Sequence, residues 1–307
     1  MDKNSVDWRG HWVALVTPFD ADGNVDEAAF RLNVEQCISS VGVAGLVPCG
    51  CTGEFWAQTN EERKRVIKAC VETAAGRVPV VAGTGAIRTA DVIELSDYAS
   101  QAGCDGVMIV APFFVKPSTT DIIAHYQAVS DAVAVPIMLY NIPSAAVNAL
   151  TPALVDRLAD IDNVVAIKES SFDFNNFYRT IVVAGDRLRD FGYELPGLMV
   201  GAVGSIHVHA NYWDERASEL YHAFDAGDLA RAREVQETSL AIEEHFRLPG
   251  RNYYVAVKAA MNYFGRPGGF PRLPLRPLGE PDFSGLGAAL EKLGVTAARP
   301  PVAAVAE

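Results

Sequence analysis

Eight short runs rich in β-branched residues recur along the chain, each followed by a polar or glycine turn and then a helical pattern. Apolar residues three or four positions apart mark those helices. The runs are HWVALV, AGLVPCG, VPVVAG, GVMIVA, VPIMLY, NVVAIK, RLRDF and GSIHVH. Repeated βα units predict parallel strands, and eight of them favour a closed (β/α)8 TIM barrel over an open sheet.

The strand pattern stops near Asp225, and helical segments follow it. These segments are DLARAREVQETSLAIEEHF and YYVAVKAAMNYFG, separated by a loop around LPGRN. We therefore predict a barrel over residues 1–225 and a C-terminal α-helical extension over residues 226–307. The final ARPPVAAVAE is rich in Pro and Ala, has little to pack and is predicted to be a disordered tail.

Start signals for four of the helices are readable in the sequence. A threonine or aspartate followed by acids or proline is typical of a helix N-terminus, because its side chain accepts from free backbone N–H groups. The candidates are Asp26, Thr59, Thr89 and Thr151.

Composition narrows the class of protein. The 307 residues are 50% hydrophobic and 21% charged, which is too apolar for a disordered chain. The net charge of -12 argues against a nucleic-acid partner, whose phosphates need a basic surface. No apolar stretch has the length of a secretory signal or a membrane span, so we expect no membrane partner and a cytoplasmic protein. Five cysteines without a CxxC pair suit reduced thiols.

The reactive groups of a parallel barrel lie at the C-terminal ends of its strands. Lys168 ends the apolar run VVAI, so its amine can project into the barrel mouth, lose proton affinity there and attack a ketone to form an imine. On its position alone, a lysine reaching from a strand end towards solvent is the simpler interpretation. Tyr140, at the neighbouring strand end, changes that balance because a phenol can move protons on the imine pathway.

The turn GCTGEF joins a strand to a helix, and its glycines let backbone N–H groups converge on an anion. Together with the Thr52 hydroxyl, the Gly53 turn predicts a cradle for the carboxylate of a 2-oxo acid. A glycine-rich turn alone is a weak signal, but a lysine and a tyrosine at two later strand ends make the combination specific.

The ordered motifs TPF, GCTGEF, YNIP and IKESS resemble the dihydrodipicolinate synthase and N-acetylneuraminate lyase family, and the similarity extends to the closing RLPLRPL. The resemblance implies a homotetrameric enzyme with no metal or organic cofactor. It also implies that Lys168 is the Schiff-base lysine, Tyr140 the proton-transfer tyrosine, and Thr52 with Gly53 the carboxylate site. Ile206 falls near the position whose backbone faces the bound 2-oxo acid.

Three positions depart from the pattern of the dihydrodipicolinate synthases. Their first relay threonine is Cys51 here, their relay tyrosine from a neighbouring subunit is Phe114, and the arginine that binds the second carboxylate is Ala145. A phenylalanine cannot pass a proton, and losing a bidentate carboxylate partner costs a few kcal/mol of recognition. We therefore expect substrate selection by a set of residues near the mouth: Phe114, Ala145, Asn148, Gly192, Tyr193 and Glu194. Cys51 is expected to contact the substrate in place of a hydroxyl, with a buried inert thiol as the alternative.

The sequence favours a Schiff-base lyase, an aldolase or dehydratase, acting on a pyruvate-derived 2-oxo acid such as a 2-keto-3-deoxy sugar acid or a hydroxy-2-oxo acid. A synthase that condenses pyruvate with aspartate semialdehyde, or a deaminating member of the family, stays open. A degenerate pyruvate-binding barrel is the non-enzyme alternative, although binding alone would not need both Lys168 and Tyr140. His207 and His209 alternate as a metal-binding HxH could, but no accompanying aspartate or cysteine set is obvious and the imine route needs no metal, so packing or substrate contact is favoured.

Overall fold

A barrel of eight parallel strands forms the centre of the computed structural model, which describes residues 6–297. Each of the eight predicted runs overlaps one strand, so the barrel prediction is confirmed. The strands are β1 Gly10–Ala14, β2 Gly45–Val47, β3 Val81–Gly83, β4 Gly106–Val110, β5 Ile137–Asn141, β6 Val164–Glu169, β7 Arg189–Phe191 and β8 Gly204–His207.

Hydrogen-bonded neighbours follow the order β2-β1-β8-β7-β6-β5-β4-β3. The sheet closes between β2 and β3 through a parallel bridge from Leu46 to Val80. Every strand therefore points its C-terminal end to the same rim, where the connecting loops meet.

Helices alternate with the strands and continue after the last one. They are α1 Glu27–Gln36, α2 Asn60–Ala74, α3 Thr89–Ala102, α4 Thr119–Ala132, α5 Pro143–Ala146, α6 Pro152–Leu158, α7 Phe174–Ala184, α8 Glu194–Met199, α9 Arg216–Asp225, α10 Leu229–Phe246, α11 Tyr253–Tyr263 and α12 Asp282–Lys292. Helices α10 and α11 fall on the two segments predicted for the extension. The ARPPVAAVAE tail lies outside the described residues.

Three of the four predicted helix starts carry the expected cap. Asp26 accepts from the Ala29 N–H at 2.9 Å, Thr59 forms a reciprocal capping box with Glu62, and Thr151 accepts from the N–H of Leu154. Thr89 is the exception, because it is already the first residue of α3 and its hydroxyl instead lies 2.9 Å from Nδ1 of His125. A tertiary partner has replaced the local one.

Aromatic side chains fill the N-terminal end of the barrel. Trp12 on β1 is fully buried, stacks on Trp8 with ring centroids 5.5 Å apart, and meets Phe191 edge to face at 5.8 Å. Gly45 on the adjacent strand makes room, since a Cβ there would lie 2.3 Å from the Trp12 ring. These rings pack the barrel interior, and the C-terminal ends of the strands form the opposite rim.

The C-terminal helices are fastened to that opposite rim by a buried ion pair. Lys258 of α11 lies 2.5 Å from a carboxylate oxygen of Glu54, and both side chains are almost completely buried. Lys258 also donates to the Phe270 carbonyl at 2.8 Å, and Glu54 accepts from the backbone N–H of Arg272 at 3.1 Å. The turn after β2 and the C-terminal extension are thus one connected structure.

No helix in residues 6–297 is long and apolar enough to cross a bilayer.

Candidate active site

A cavity of about 410 Å³ opens at the C-terminal rim of the barrel. Its walls come from strand ends, from the loops after β2, β5, β6 and β7, and from helices α10 and α11. The lining includes Cys51, Thr52, Tyr140, Lys168, Tyr193 and Ile206, which are six of the eight residues predicted for the site.

Lys168 lies near the end of β6, directly paired in register with Tyr140 on β5. Its Nζ lies 4.5 Å from the centroid of the Tyr140 ring. Burial lowers the pKa of Lys168 to about 8, while the nearby Cys51 opposes the shift. No salt bridge to this amine is found within residues 6–297, so burial dominates. The strand therefore presents an amine that gives up its proton readily.

This lowered pKa predicts the pH dependence of any imine formed at Lys168. At pH 7 about one amine in ten is neutral, roughly 300 times the fraction of an ordinary lysine. Because only the neutral amine attacks a carbonyl, the rate of reductive trapping with pyruvate and cyanoborohydride should rise with pH and level off above about pH 8. A rate that still climbs towards pH 10.5 would mean that the amine behaves as an exposed lysine.

The turn after β2 is a single 3-10 turn, Cys51–Gly53, that ends in a left-handed Glu54 with φ 53°. Gly53 packs so tightly that a Cβ would lie 3.1 Å from the Thr17 hydroxyl and 3.2 Å from the Leu15 carbonyl oxygen. Gln58 fixes the turn further by donating to the Gly53 carbonyl at 2.6 Å. The close packing fixes the turn that places Thr52 at the cavity wall.

Glu194 and His207 line another wall of the cavity, and His209 lies next to both. His209 Nε2 lies 3.3 Å and His207 Nε2 3.9 Å from the same Glu194 oxygen. Burial raises the pKa of Glu194, but the two histidines outweigh burial and hold it well below its usual range. The carboxylate therefore stays ionised inside the protein.

These three side chains offer a donor set that could hold a divalent cation, since their ligand atoms lie within 4.8 Å of one another. The partner acid of the HxH pair was not recognisable in the sequence because Glu194 begins α8, and the fold brings it to the two histidines. Glu194 also accepts from Gln236 at 2.6 Å and from Ser239 at 3.3 Å, both on α10. Hydrogen bonds within the protein thus already occupy much of its capacity.

The C-terminal helices complete the cavity and bring groups that strand-end reasoning missed. Helix α10 contributes Gln236, Leu240, Glu243 and, just after its end, Arg247, while α11 contributes Tyr253 and Tyr254. Contacts between these helices and the distant barrel rim cannot be predicted from the hydrophobic periodicity of the sequence. The only local hint was the tyrosine pair that opens α11.

Among the described residues, three of the positions predicted to select substrate do not line the cavity. Phe114 is 85% exposed with φ 69°, and it is not among the described residues that line the cavity. Asn148 donates to the carbonyls of Pro112 and Val115 at 2.6 and 2.9 Å, so it holds a loop together. Ala145 is also absent from the described lining, where its neighbour Ser144 is present. Within this chain, neither Phe114 nor Asn148 is placed to select substrate.

A buried lysine, a phenol on the adjacent strand and a cavity at the mouth of a (β/α)8 barrel define a lyase of the class I aldolase type. The chain belongs to the Dihydrodipicolinate synthetase family, whose model matches residues 7–293.

Curated relatives and solved structures agree with that assignment. A 4-hydroxy-tetrahydrodipicolinate synthase of Geobacter metallireducens is 38% identical over 276 residues, covering 89% of this chain and 94% of the relative. The enzyme of the same name from Methanothrix thermoacetophila is 35% identical, covering 93% and 97%. A prophage protein of the dihydrodipicolinic acid synthase family from E. coli K12, solved in complex with pyruvate, superposes with a TM-score of 0.90 at 32% identity, covering 94% and 99%.

Proposed function

We propose that Lys168 forms a Schiff base with a pyruvate-derived 2-oxo acid. The observation that carries the proposal is a buried amine of lowered pKa held beside the Tyr140 ring. The neutral amine attacks the carbonyl carbon and gives a carbinolamine. Tyr140 donates a proton to the carbinolamine hydroxyl, which leaves as water, and the substrate carboxylate binds at the turn that carries Thr52 and Gly53.

The protonated imine then serves as the electron sink. In aldol cleavage, the substrate hydroxyl loses its proton, the carbon–carbon bond breaks, and its electrons flow to the imine nitrogen, so that an aldehyde leaves and an enamine remains. In dehydration, loss of a proton from the carbon next to the imine gives the enamine, which then expels the hydroxyl of the following carbon as water and leaves a conjugated imine. Protonation of the enamine and hydrolysis of the imine return the free amine. No metal or organic cofactor is needed for these steps, and we propose that none takes part.

The charges around the cavity support a hydroxylated substrate. Glu194 is ionised and buried, and Glu243 also lines the cavity. A second carboxylate would be repelled there, whereas sugar hydroxyls can donate to Glu194 and accept from His207. The absence of an arginine at Ala145 points the same way. We therefore propose a 2-keto-3-deoxy sugar acid or a hydroxy-2-oxo acid as the substrate class.

The second candidate function is 4-hydroxy-tetrahydrodipicolinate synthase. It is favoured by the names of the curated relatives, which are 35–39% identical to this chain. Arg247, at the cavity wall beside Glu243, is a cation that could take the carboxylate of aspartate semialdehyde. In this alternative the imine chemistry of Lys168 is the same and only the second substrate differs.

Two measurements test the proposal in sequence. Borohydride added with pyruvate is expected to trap one adduct, located on Lys168 by peptide mapping after intact-mass analysis. Unchanged mass under conditions that trap a known class I aldolase would rule the mechanism out. A panel of 2-keto-3-deoxy acids with coupled pyruvate detection, run beside condensation of pyruvate with aspartate semialdehyde, then separates the two functions. Turnover only in the condensation arm would favour the synthase.

Further expectations accompany the family assignment. We propose a cytoplasmic homotetramer, in which the exposed Phe114 is available to a neighbouring subunit. We also propose the division into a barrel and a C-terminal helical domain near residue 225, between the end of α9 and the start of α10.

A further inference from the structure

A thiol stands between two phenols at the edge of the cavity. Cys51, at the start of the turn after β2, lies beside both Tyr140 and Tyr254. All three side chains line the cavity. The second phenol comes from α11, so it reaches the site from the C-terminal extension of the same chain.

Local structure holds Tyr254 in place. Asn252 caps α11 by accepting from the Tyr254 N–H at 3.0 Å and the Val255 N–H at 3.3 Å. The Tyr254 ring packs on Trp56, with centroids 5.2 Å apart, and Trp56 follows the same turn that carries Cys51. The phenol is therefore fixed relative to the thiol by contacts on both sides.

The order of groups suits proton transfer. Burial raises the pKa of Cys51 above its usual value, so the thiol keeps its proton at neutral pH and can both donate and accept. Tyr140 stands next to Lys168, and Cys51 lies close to both Tyr140 and Tyr254. The chain otherwise carries Phe114 at the position where the family resemblance implies a relay tyrosine from a neighbour.

We propose that Tyr254, Cys51 and Tyr140 form a proton relay contained within one subunit, an inference that rests on the proposed imine chemistry of Lys168. Tyr140 gives its phenolic proton to the carbinolamine hydroxyl, which departs as water while the C–O bond breaks and the iminium forms. The Tyr140 oxygen regains a proton from the Cys51 thiol, sulfur takes the proton of Tyr254, and Tyr254 takes one from water in the cavity. Tyr254 acts through Cys51 and is a positioning residue.

Tyr254→Phe tests the relay, because it removes only the hydroxyl and keeps the ring against Trp56. The readout is exchange of the methyl protons of pyruvate for deuterium in D2O, followed by proton NMR, which requires imine and enamine formation but no second substrate. We expect kcat for exchange to fall at least about tenfold, within the range that acid–base groups contribute, with KM for pyruvate little changed. Tyr263→Phe, the same change on the same helix but away from the cavity, should exchange at the wild-type rate.

Changes at Cys51 distinguish a relay from a structural role. Cys51→Val should slow exchange as Tyr254→Phe does, and Cys51→Thr, which keeps a proton donor, should exchange faster than Cys51→Val. The double variant Tyr254→Phe with Cys51→Val should be no slower than Cys51→Val alone, because both changes interrupt one path.

The outcomes separate this inference from the proposed function. Normal exchange by Tyr254→Phe, or multiplicative losses in the double variant, would overturn the relay while leaving the Schiff base intact. No exchange and no trapping in the wild-type protein would instead remove the imine chemistry itself. Equal losses in Cys51→Thr and Cys51→Val would also count against the relay, because packing rather than proton transfer would then explain the effect.

Discussion

Lys168→Met will lose pyruvate trapping and proton exchange by at least about 10^4-fold, since an oriented amine in a site has an effective concentration of about 10^5 M or more. The same variant should be more stable than the wild-type protein at pH 7. Methionine fills a similar volume without placing a charge in the buried position that lowers the pKa of Lys168 to about 8.

The sign of the stability effect follows from proton linkage. The folded state binds the lysine proton less tightly than the unfolded chain, whose lysine has the ordinary value of 10.5. The cost of the buried charge is therefore fully present below about pH 8 and disappears as the pH rises through 10.5. We expect Lys168→Met to gain about 1–3 kcal/mol in urea unfolding at pH 7 and to lose that advantage at high pH. A variant that still traps pyruvate on another lysine would contradict the assignment.

Lys258→Met should have the opposite effect, although burial also lowers the pKa of Lys258 to about 8. This lysine is paired with Glu54, which is itself 0% exposed. Removing the amine leaves a carboxylate buried without its counter-charge, so we expect a loss of about 3–5 kcal/mol in the free energy of unfolding, measured with urea.

A double variant provides the control for that prediction. Glu54→Gln combined with Lys258→Met removes both charges and should recover part of the loss, because no isolated ion then remains buried. If Lys258→Met unfolds at the wild-type urea concentration, the pair does not fasten the C-terminal extension to the barrel. The two methionine variants together compare two lysines of similar pKa that differ in having a partner.

The barrel was predictable because the alternation of apolar strand runs and helical patterns repeats along the chain. Eight apolar runs separated by helical patterns leave few arrangements, and one rule about strand ends then brings Lys168 and Tyr140 to the same rim. Their direct pairing in register explains why two residues 28 positions apart were recognisable as neighbours. The turn of Thr52 and Gly53 was readable for the same reason, since it follows a strand.

What the sequence did not predict depends on contacts between distant segments. Tyr254 and Gln236 reach the cavity because α10 and α11 fold back over the rim, and no local pattern reports that path. Glu194 was expected only as a selector of substrate, and its partnership with two histidines became visible from the structure. Phe114 was expected in the site, but its left-handed backbone and 85% exposure place it outside the cavity of its own chain.

The reactive groups and the remaining surface of the cavity come from two different parts of the chain. Strand β5 holds the phenol of Tyr140 and strand β6 the amine of Lys168. Helices α10 and α11 supply much of the surface that faces the rest of a bound molecule. Substitutions on those helices can reshape what fits without disturbing the strand pair. Related proteins with this architecture can therefore differ in substrate specificity while they retain the lysine and tyrosine on the two strands.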